Sequence, residues 1–266
     1  MSVYNRLLNE LETLDLKKMK ELLPTILDEG SKSNSNLSLI ECLHKLASAE
    51  IEFRDDRAKK INIVVSSFPF VKTIKDFDFD YQPQINRNQI EDLITLRFMQ
   101  EHNNIVFMGS PGVGKSHLAI SIGVEAASLR YSTYFINFST LMAKIKKAIS
   151  EQRIEQVIKH FFKYSLLIID EIGYLPTDKD ASYVFFQLIA ARYEKRSTIF
   201  TTNQPFSKWG EVFGDSVIAS AIVDRIVHHC EIVKITGQSY RIKGKVDLMF
   251  VITKKIRNNF DPLSLR

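Results

Sequence analysis

The first part of the chain carries a helical pattern of apolar and polar positions. Leucine, methionine and isoleucine recur near a 3.6-residue period over residues 5–29, which predicts an amphipathic helical stretch. Proline lacks the backbone N–H that a helix interior needs, so Pro24 predicts a break or kink within this stretch. The polar segment 30–36, rich in serine and asparagine, predicts a loop.

A second helix is predicted to follow this loop. Ser38 and Glu41 have the spacing of a capping box, in which each side chain accepts a hydrogen bond from the backbone N–H of the other residue. Apolar residues at helical spacing continue to Phe53, and the densely charged segment 54–60 is typical of a solvated helix face. We therefore interpret residues 1–60 as a small N-terminal helical region.

The pattern changes after about residue 85, where short apolar runs alternate with helix-length segments. Five runs are rich in β-branched and aromatic residues: IVFMG at 105–109, TYFINF at 133–138, LLIID at 166–170, TIFTTN at 198–203 and EIVKI at 231–235. Continuously apolar strands separated by helices indicate a parallel sheet that is covered on both faces. The predicted fold class is therefore α/β, with five parallel strands flanked by helices.

A connector separates these two parts of the chain. It contains Pro69, Pro83 and the aromatic and acidic stretch TIKDFDFDY. The predicted domain organisation is an N-terminal helical region at 1–60, a linker at 61–85, an α/β domain at 86–245 and a basic C-terminal tail at 246–266.

Basic residues are concentrated in two segments. The chain has 36 lysines and arginines against 31 acidic residues, a net charge of +5. Residues 225–257 contain eight lysines and arginines against two acids, and residues 139–163 contain six against two. Two basic segments on a mildly acidic remainder favour a localised surface for a polyanion. Each segment alone is equally consistent with a solvated helix face.

Other features of the composition predict a cytoplasmic protein. Cys42 and Cys230 are too few for a disulfide framework, and the sequence has no CxxC motif or His/Cys ladder for a structural metal. The N-terminus lacks the apolar core and cleavage site of a signal peptide, and no apolar stretch is long enough to cross a bilayer. We expect a soluble protein with no membrane partner.

The strongest motif is a phosphate-binding loop. Residues 109–116 read GSPGVGKS, a complete match to GxxxxGK[ST], directly after an apolar strand and before a helical segment. Glycines let backbone N–H groups surround phosphate oxygens, and the helix N-terminus adds a partial positive charge. Lys115 is predicted to reach the β and γ phosphates, and Ser116 to bind Mg²⁺. The predicted nucleotide-binding residues are Gly109, Ser110, Pro111, Gly112, Val113, Gly114, Lys115 and Ser116.

Two adjacent acids follow another strand of the same predicted sheet. Asp170 ends the run LLIID, where a carboxylate can meet Mg²⁺ beside the loop. Glu171 comes next, and a second acid in this position suits a general base that orients an attacking water. We therefore predict nucleotide hydrolysis, with Ser116 and Asp170 as metal ligands and Glu171 as a catalytic residue.

Two polar residues later in the chain are further catalytic candidates. Asn203 ends the next apolar strand, where its amide could polarise the water or sense the γ phosphate; the alternative is a strand-end asparagine that enters the turn at Pro205. Arg225 could be supplied to the γ phosphate of a neighbouring copy, where it would stabilise the charge of the transition state. The alternative for Arg225 is a surface salt bridge with Asp224.

Histidines and aromatic residues are given structural interpretations. His228 and His229 lack a ligand cluster at suitable spacing, so we interpret them as structural rather than metal-binding. Trp209 and most phenylalanines are interpreted as core or interface packing. Phe77 and Phe79 are the exceptions that could stack on a base, because the connector must pass near the adenine side of the loop.

Four segments together resemble a known protein family. GSPGVGKSHLA, LLIIDEIGYLP, TTNQPFSKWGEVF and SAIVDRIVHHCEIVKITGQSYR are similar to segments of the IstB-like ATPases, the helper proteins of a class of bacterial insertion sequences. That family belongs with the DnaC-type helicase loaders in the AAA+ superfamily. The likeness covers nearly the whole chain, including the N-terminal helices and the linker.

The resemblance implies a role for each motif. It makes residues 109–116 the Walker A motif, Asp170 and Glu171 the Walker B pair, Asn203 sensor 1 and Arg225 the arginine finger. The basic segment at about 139–160 resembles a helical insert that faces nucleic acid. The residues that it would offer to DNA phosphates are Lys144, Lys146, Lys147, Arg153 and Lys159.

The resemblance also implies cofactors and partners. The protein is expected to bind ATP with Mg²⁺, to form homo-oligomers around duplex DNA, to bend that DNA and to stimulate the transposase encoded by the same element. A second sensor arginine is not assigned, and Arg241 is a candidate. Two alternatives stay open: a loader of the replicative helicase, and a nucleotide-bound adaptor with little hydrolysis, against which Glu171 argues.

Overall fold

The computed structural model describes residues 2–32, 38–173 and 176–242. The predicted tail at 246–266 lies outside these residues. The chain divides into two compact units, Met1–Asn62 and Ile63–Arg266. None of the described helices is both long and apolar enough to cross a membrane.

The helices are α1 Val3–Thr13, α2 Lys17–Lys32, α3 Leu39–Val65, α4 Arg87–Ile94, α5 Arg97–Gln100, α6 Lys115–Ser128, α7 Phe138–Ser150, α8 Ile154–Phe162, α9 Lys179–Arg192, α10 Trp209–Phe213 and α11 Ser216–Val227. The strands are β1 Asn104–Gly109, β2 Thr133–Asn137, β3 Leu166–Ile172, β4 Ser197–Thr202 and β5 Cys230–Ile235. Short 3₁₀ turns occur at Ile74–Asp76, Phe206–Lys208 and Tyr240–Ile242.

The first unit is held together by leucines from three helices. Leu11 of α1, Leu23 of α2 and Leu46 of α3 are buried against one another. The buried Glu50 of α3 accepts hydrogen bonds from the backbone N–H groups at the start of α2, at 2.8 and 3.1 Å. Burial alone would raise the pKa of Glu50, but these bonds and one from Arg54 lower it. Glu50 of α3 thus caps the N-terminus of α2.

The prediction of a helix break at Pro24 is wrong. The break lies at residues 14–16, where Asp15 adopts a left-handed backbone with φ 53°. Pro24 lies inside α2, which continues to Lys32, so residues 30–32 of the predicted loop are helical. An interior proline removes one backbone hydrogen bond and crowds the carbonyl four residues earlier, but neither effect ends α2. The rest of that predicted loop, at 33–36, lies outside the described residues.

The predicted capping box at the start of α3 is confirmed. The backbone N–H of Ser38 donates to the Glu41 carboxylate at 2.8 Å, and the backbone N–H of Glu41 donates to the Ser38 hydroxyl at 3.3 Å. The helix then continues through the charged segment 54–60 and ends at Val65.

The second unit is built on the predicted five-stranded parallel sheet. The strand order is β2-β3-β4-β1-β5, and every neighbouring pair is parallel. Because β4 lies between β1 and β3, the carboxyl ends of these three strands are next to one another. This edge is where ligands bind in open parallel sheets.

Both faces of the sheet are covered, as the continuous apolar runs predict. Ile168 of β3 packs in a core with Leu118 of α6, whereas its neighbour Ile169 packs in a second core with Ile145 of α7 and Phe185 of α9. Alternate side chains of one strand therefore enter opposite cores. The α/β prediction is confirmed.

Two strands end differently from the sequence prediction. β2 stops at Asn137 because its side chain accepts from the backbone N–H of Ser139 and caps α7, so Phe138 is already helical. β3 continues beyond Asp170 to Ile172, with an irregularity in its pairing with β4 and a φ of 65° at Glu171. The two acids of the predicted metal and base pair therefore have different backbone conformations.

One buried cation fixes the end of α8 to the sheet. Arg192 is 2% exposed, and its guanidinium donates to the carbonyls of Phe161, Tyr164 and Ser197 at 2.8, 2.9 and 2.5 Å. Burial lowers the pKa of Arg192 to about 9, so the side chain stays charged at neutral pH. Three carbonyls at a helix end and a strand start are thus satisfied by one side chain.

Candidate nucleotide-binding site

The phosphate loop joins β1 to α6. Gly112 and Gly114 have positive φ angles of 82° and 103°, and Gly114 is the residue that precedes the first turn of α6. The ammonium group of Lys115 donates to the carbonyls of Gly109 and Ser110 at 2.8 and 2.9 Å, so the side chain folds back over the loop. Gly112, Gly114 and Lys115 line one cavity at the N-terminus of α6, and a helix N-terminus preceded by a glycine-rich loop suits an anion.

Glycine is required at Gly114 by its surroundings as well as by its φ angle. A Cβ atom there would lie 2.7 Å from Cε2 of Phe77, a buried ring of the connector. Phe77 also makes edge contacts with Phe79, His117 and Tyr240. Phe77 therefore packs against the loop, and neither Phe77 nor Phe79 lines the cavity beside it, so base stacking by either ring stays a prediction.

Ser116 and Asp170 meet as their predicted roles require. The Ser116 hydroxyl lies 2.8 and 3.0 Å from the two carboxylate oxygens of Asp170, and the Thr201 hydroxyl donates to the same carboxylate at 2.5 Å. Burial raises the pKa of Asp170, although these two hydroxyls partly offset the effect. A carboxylate with an elevated pKa in a cavity favours a cation as its partner.

The positive charge of Lys115 is destabilised by burial. Burial lowers the pKa of Lys115, and the positive charge of Arg241 acts in the same direction, while Asp170 and Glu171 oppose them. Lys115 is 7% exposed, and its ammonium group has carbonyls rather than an anion as its hydrogen-bond acceptors. A phosphate group placed here would raise the pKa of Lys115 again and stabilise its charge.

Glu171 is held by a residue that the sequence analysis did not single out. The Asn137 amide donates to the Glu171 carboxylate at 2.8 Å, and the backbone N–H of Glu171 donates to the Thr201 hydroxyl at 2.9 Å. Glu171 lines the cavity of the phosphate loop and also the neighbouring cavity beside α7. Because Asn137 is 34 residues away in sequence, only the pairing of β2 with β3 brings the two together.

Asn203 lies where a polar group could act on a ligand. It lines the same cavity, and its side-chain oxygen is buried without a hydrogen-bond partner among the described residues. The turn at this point is made instead by Thr202, whose hydroxyl accepts from the backbone N–H of Gln204 at 3.1 Å. The side chain of Asn203 is therefore not used by the turn, and an unpartnered buried amide oxygen needs a ligand or water.

The cavity at the loop has a volume of about 430 Å³ and contains residues that the sequence analysis missed. These come from the connector, from the start of α6 and from the segment after β5. The residues not predicted are Phe70, Lys72, Asp76, Asp78, His117 and Tyr240. For the four connector residues the only signal in the sequence is the position of the connector before β1, and His117 is marked only by following the loop motif.

The segment after β5 closes on the loop. The backbone N–H of Tyr240 donates to the Gly112 carbonyl at 2.8 Å, and the hydroxyl of Tyr240 donates to the Asp78 carbonyl. Arg241 follows and lines the cavity. Arg241, the candidate for the second sensor arginine, therefore lines the same cavity as Lys115.

Arg225 lies elsewhere on the unit. It is in α11, where its guanidinium stacks 4.5 Å from the ring centre of Phe186 and donates to the Ala221 carbonyl at 3.2 Å. It does not line the cavity of its own chain, and within the described residues it has no ion pair with Asp224. Both observations leave the guanidinium available to a neighbouring copy.

The five basic residues predicted to contact DNA lie on α7, on α8 and between them, but they do not form one continuous face. Lys144, Lys147 and Arg153 line a shallow groove of about 370 Å³ between the two helices. Lys146 faces the other cavity, beside Glu171, and pairs with Asp178 at 2.7 Å. Lys159 is exposed and pairs with Glu155 at 3.3 Å.

The other candidates are placed as follows. Trp209 is fully buried and packs on Phe206 and Phe213, as predicted. His228 and His229 are exposed after α11, outside the nucleotide cavity. The prediction that they lack a ligand cluster is wrong, because the fold brings Glu194 to them, with one ligand atom of each of the three residues within 4.8 Å of the others.

The fold and the loop together define the class of protein. A parallel sheet in the order β2-β3-β4-β1-β5, with a GxxxxGKS loop between β1 and α6, is that of an AAA+ P-loop protein. The model of the family described as IstB-like ATP binding protein matches residues 9–247, and the chain belongs to this family.

Curated relatives agree with this family assignment, and a solved structure shares the fold. The predicted ATP-binding protein of insertion sequence IS232 from Bacillus thuringiensis subsp. berliner is 50% identical over 240 residues, which cover 90% of this chain and 95% of that one. The corresponding protein of IS21 from Pseudomonas aeruginosa is 38% identical over 242 residues, with coverages of 90% and 91%. AMPPCP-bound DnaA from Aquifex aeolicus has a TM-score of 0.52 and 20% identity over 73% of this chain and 56% of that one, a likeness of fold alone.

Proposed function

We propose that the protein hydrolyses ATP, that its nucleotide state controls its assembly on duplex DNA, and that it thereby assists the transposase of its insertion sequence. The observation that carries the proposal is the convergence of Lys115, Ser116, Asp170 and Glu171 on one cavity. The names of the curated relatives, which associate them with ATP and with insertion sequences, support the biological setting.

Nucleotide binding is assigned to the loop and the buried lysine. Backbone N–H groups of residues 109–116 would surround the phosphates, and Lys115 would exchange its two carbonyl acceptors for phosphate oxygens. Asn203 and Arg241 line the same cavity and are candidates to contact the terminal phosphate. Lys115 and Arg241 carry positive charge, and the amide of Asn203 has N–H donors, so all three can bind an anionic substrate.

The donors beside the loop fit Mg²⁺. Ser116 and Asp170 offer a hydroxyl and a carboxylate, the hard oxygen ligands that Mg²⁺ prefers, and they are already within hydrogen-bond distance of each other. Bound Mg²⁺ would neutralise charge on the phosphates during transfer. The hydroxyl of Thr201 holds the Asp170 carboxylate in this orientation.

Glu171 is the proposed general base. Its carboxylate would accept a proton from the water that attacks the γ phosphate, while the Asn203 amide would orient that water. The carboxylate also accepts a hydrogen bond from Asn137, and Glu171 borders both the loop cavity and the cavity beside α7, so this bond competes with a water for the carboxylate. Hydrolysis is therefore expected to be slow until that contact changes.

Arg225 is proposed to act on a second copy of the protein. Its absence from the cavity of its own chain, together with its half-buried position on α11, favours supply in trans. A guanidinium at the γ phosphate stabilises the charge of the transition state. Homo-oligomerisation would then be a requirement for rapid turnover.

DNA is proposed to contact the groove between α7 and α8. Lys144, Lys147 and Arg153 line it and offer partners for phosphates without a helix shaped to read bases. Binding is expected to be largely independent of sequence and to weaken steeply with salt.

The experiment that tests the proposed activity is ATP hydrolysis with and without duplex DNA. Wild-type protein is expected to turn over slowly alone and faster with duplex, and Glu171→Gln is expected to bind ATP without turnover. Glu211→Gln, an exposed acid on α10, is the matched control. Equal, near-zero rates for wild type and Glu171→Gln under both conditions would favour the adaptor. Copurification with a replicative helicase instead of the transposase would favour the loader.

A further inference from the structure

Three side chains with metal-binding atoms meet on the surface of the second unit. Glu194 lies in the turn after α9, and His228 and His229 follow α11. One ligand atom from each of the three lies within 4.8 Å of the other two. We propose that they form a binding site for a divalent transition-metal ion of the zinc type, separate from the magnesium chemistry of the nucleotide site.

The donor set selects the class of metal. Two imidazoles and one carboxylate are typical ligands of Zn²⁺, whereas Mg²⁺ and Ca²⁺ prefer oxygen ligands alone. Ligand atoms at ~2.0–2.1 Å from a tetrahedral ion lie roughly 3.4 Å apart. His229 Nε2 and Glu194 Oε1 are 3.3 Å apart and already match this spacing. A ligand atom of the His228 ring lies within 4.8 Å of a ligand atom of each of these two residues, so the third ligand is close as well.

The backbone that carries Glu194 is fixed. Arg192, two residues earlier, is buried and donates to the Ser197 carbonyl and the Thr198 hydroxyl, so both ends of the turn are tied to the sheet. Glu194 itself has a positive φ of 55°, which a non-glycine residue adopts only when its surroundings require it. The carboxylate is therefore presented from a rigid turn.

The two histidines are also on fixed backbone. The backbone N–H of His228 donates to the Asp224 carbonyl at 3.1 Å and continues the last turn of α11. The carbonyl of His229 accepts from the backbone N–H of Asn104 at 2.8 Å, immediately before β5 pairs with β1. Preorganised ligands of this kind lower the cost of closing a metal site.

Tyr193 orients one of the ligands. Its hydroxyl is hydrogen-bonded to His228 Nδ1 at 2.7 Å, which leaves Nε2 of that ring for a metal. Metal-binding histidines commonly use their second nitrogen in this way, and loss of the partner typically costs 10–100-fold in metal affinity. Tyr193 is therefore a positioning residue of the proposed site.

Metal at this position would join the ends of two helices that pack against each other. α9 carries Phe186 and α11 carries Arg225, whose guanidinium stacks on that ring. An ion bound between Glu194 and the two histidines would link the C-terminal ends of α9 and α11. Because an ion that binds only the folded state stabilises it, the melting temperature should rise with zinc concentration.

The test is metal binding to the full, untagged chain after treatment with a chelator. Zn²⁺ titration by calorimetry is expected to give one ion per chain, and His228→Ala/His229→Ala should weaken binding at least tenfold. Tyr193→Phe should weaken it about tenfold. His44→Ala, which removes an exposed histidine of the first unit, is the control and should leave binding unchanged.

Co²⁺ provides a second measurement. Nitrogen and oxygen ligands give visible absorption without the near-ultraviolet charge-transfer band of a thiolate, which separates this site from Cys42 and Cys230. Undiminished zinc binding in the double histidine variant, an equal loss in His44→Ala, or a thiolate band would overturn the proposal. If the double variant fails to fold, Glu194→Gln decides: the proposal requires it to lose affinity while it melts like metal-free wild type.

Discussion

The side-chain amide of Asn137 donates a hydrogen bond to the carboxylate of Glu171 over 2.8 Å. The carbonyl oxygen of the same amide accepts from the backbone N–H of Ser139 and caps α7. One residue therefore joins the proposed catalytic base to the helix that carries three of the lysines predicted to contact DNA. A shift of α7 on DNA would change the position of Glu171.

The first prediction concerns Asn137→Asp. Aspartate keeps the oxygen that caps α7 but has no N–H for Glu171, and its charge repels that carboxylate. ATP turnover without DNA is therefore expected to rise several-fold, and the ratio of the rates with and without duplex to fall. Steady-state ATPase assays measure both quantities.

The matched control for this prediction is Asn103→Asp. Asn103 makes the same type of bond, to Glu101 at 2.7 Å, on the surface and outside the cavity. It should change neither rate. An Asn137→Asp variant with wild-type rates would show that the bond does not restrain Glu171.

The second prediction concerns the cost of the buried Asp170 carboxylate. Because burial raises its pKa, the folded protein loses stability as pH rises above the ordinary aspartate value of 3.8. Asp170→Asn removes the charge but keeps an acceptor for Ser116 and Thr201, so the nucleotide-free variant should melt above wild type at pH 7. The difference should vanish below about pH 4, where the wild-type carboxyl is itself protonated.

Thermal unfolding against pH, without nucleotide, checks this expectation. Asp80→Asn, at an exposed position of the connector, is the control. The same Asp170→Asn protein should lose Mg²⁺-dependent ATP hydrolysis. Lower melting of Asp170→Asn at pH 7 would mean that hydrogen bonding outweighs desolvation at this carboxylate.

The third prediction compares two glycines. Gly114→Ala would force a side chain into a φ of 103° and against Phe77 at 2.7 Å, so ATP affinity should fall at least tenfold and the melting temperature should drop. Gly210→Ala meets nothing closer than 3.6 Å, lies in α10 and should be neutral or slightly stabilising. Nucleotide titration and thermal unfolding measure the contrast. Equal ATP affinity in the two variants would show that the backbone conformation at Gly114 does not control ATP binding.

The fourth prediction concerns Arg225→Ala. ATP binding should be unchanged, because Arg225 does not line the cavity of its own chain, while DNA-stimulated turnover should fall at least tenfold. Mixing Arg225→Ala with Glu171→Gln should restore part of the activity, since the second variant supplies its arginine to the intact base of the first. Arg97→Ala, an exposed arginine of α5, is the control. A mixture with no recovered activity, or a loss of ATP binding in Arg225→Ala, would show that Arg225 acts within its own subunit.

Local patterns predicted what depends on local chemistry. The glycines and Lys115 of the loop are contiguous, and apolar runs such as LLIID indicate buried strands wherever they occur. Asp170 could be paired with Ser116 in advance because a parallel sheet brings the carboxyl ends of its strands to one edge. These parts of the site can be predicted without knowing the tertiary contacts of this particular protein.

Residues that depend on long-range packing were not predictable in the same way. Asn137 reaches Glu171 only through strand pairing, and Glu194 reaches His228 only because α9 and α11 end side by side. Pro24 was misjudged because the helix break is set by the left-handed backbone at Asp15. Single residues of ordinary type carry no pattern that marks such contacts.

The central claim is that occupation of the phosphate loop controls assembly on DNA. Size-exclusion chromatography with light scattering, on wild type and Lys115→Ala with ATP, Mg²⁺ and a duplex, tests it most directly. We expect wild type to shift to a large DNA-bound assembly only when ATP and duplex are both present, and Lys115→Ala to stay at its starting size. Full-size assemblies of Lys115→Ala on duplex would contradict the account.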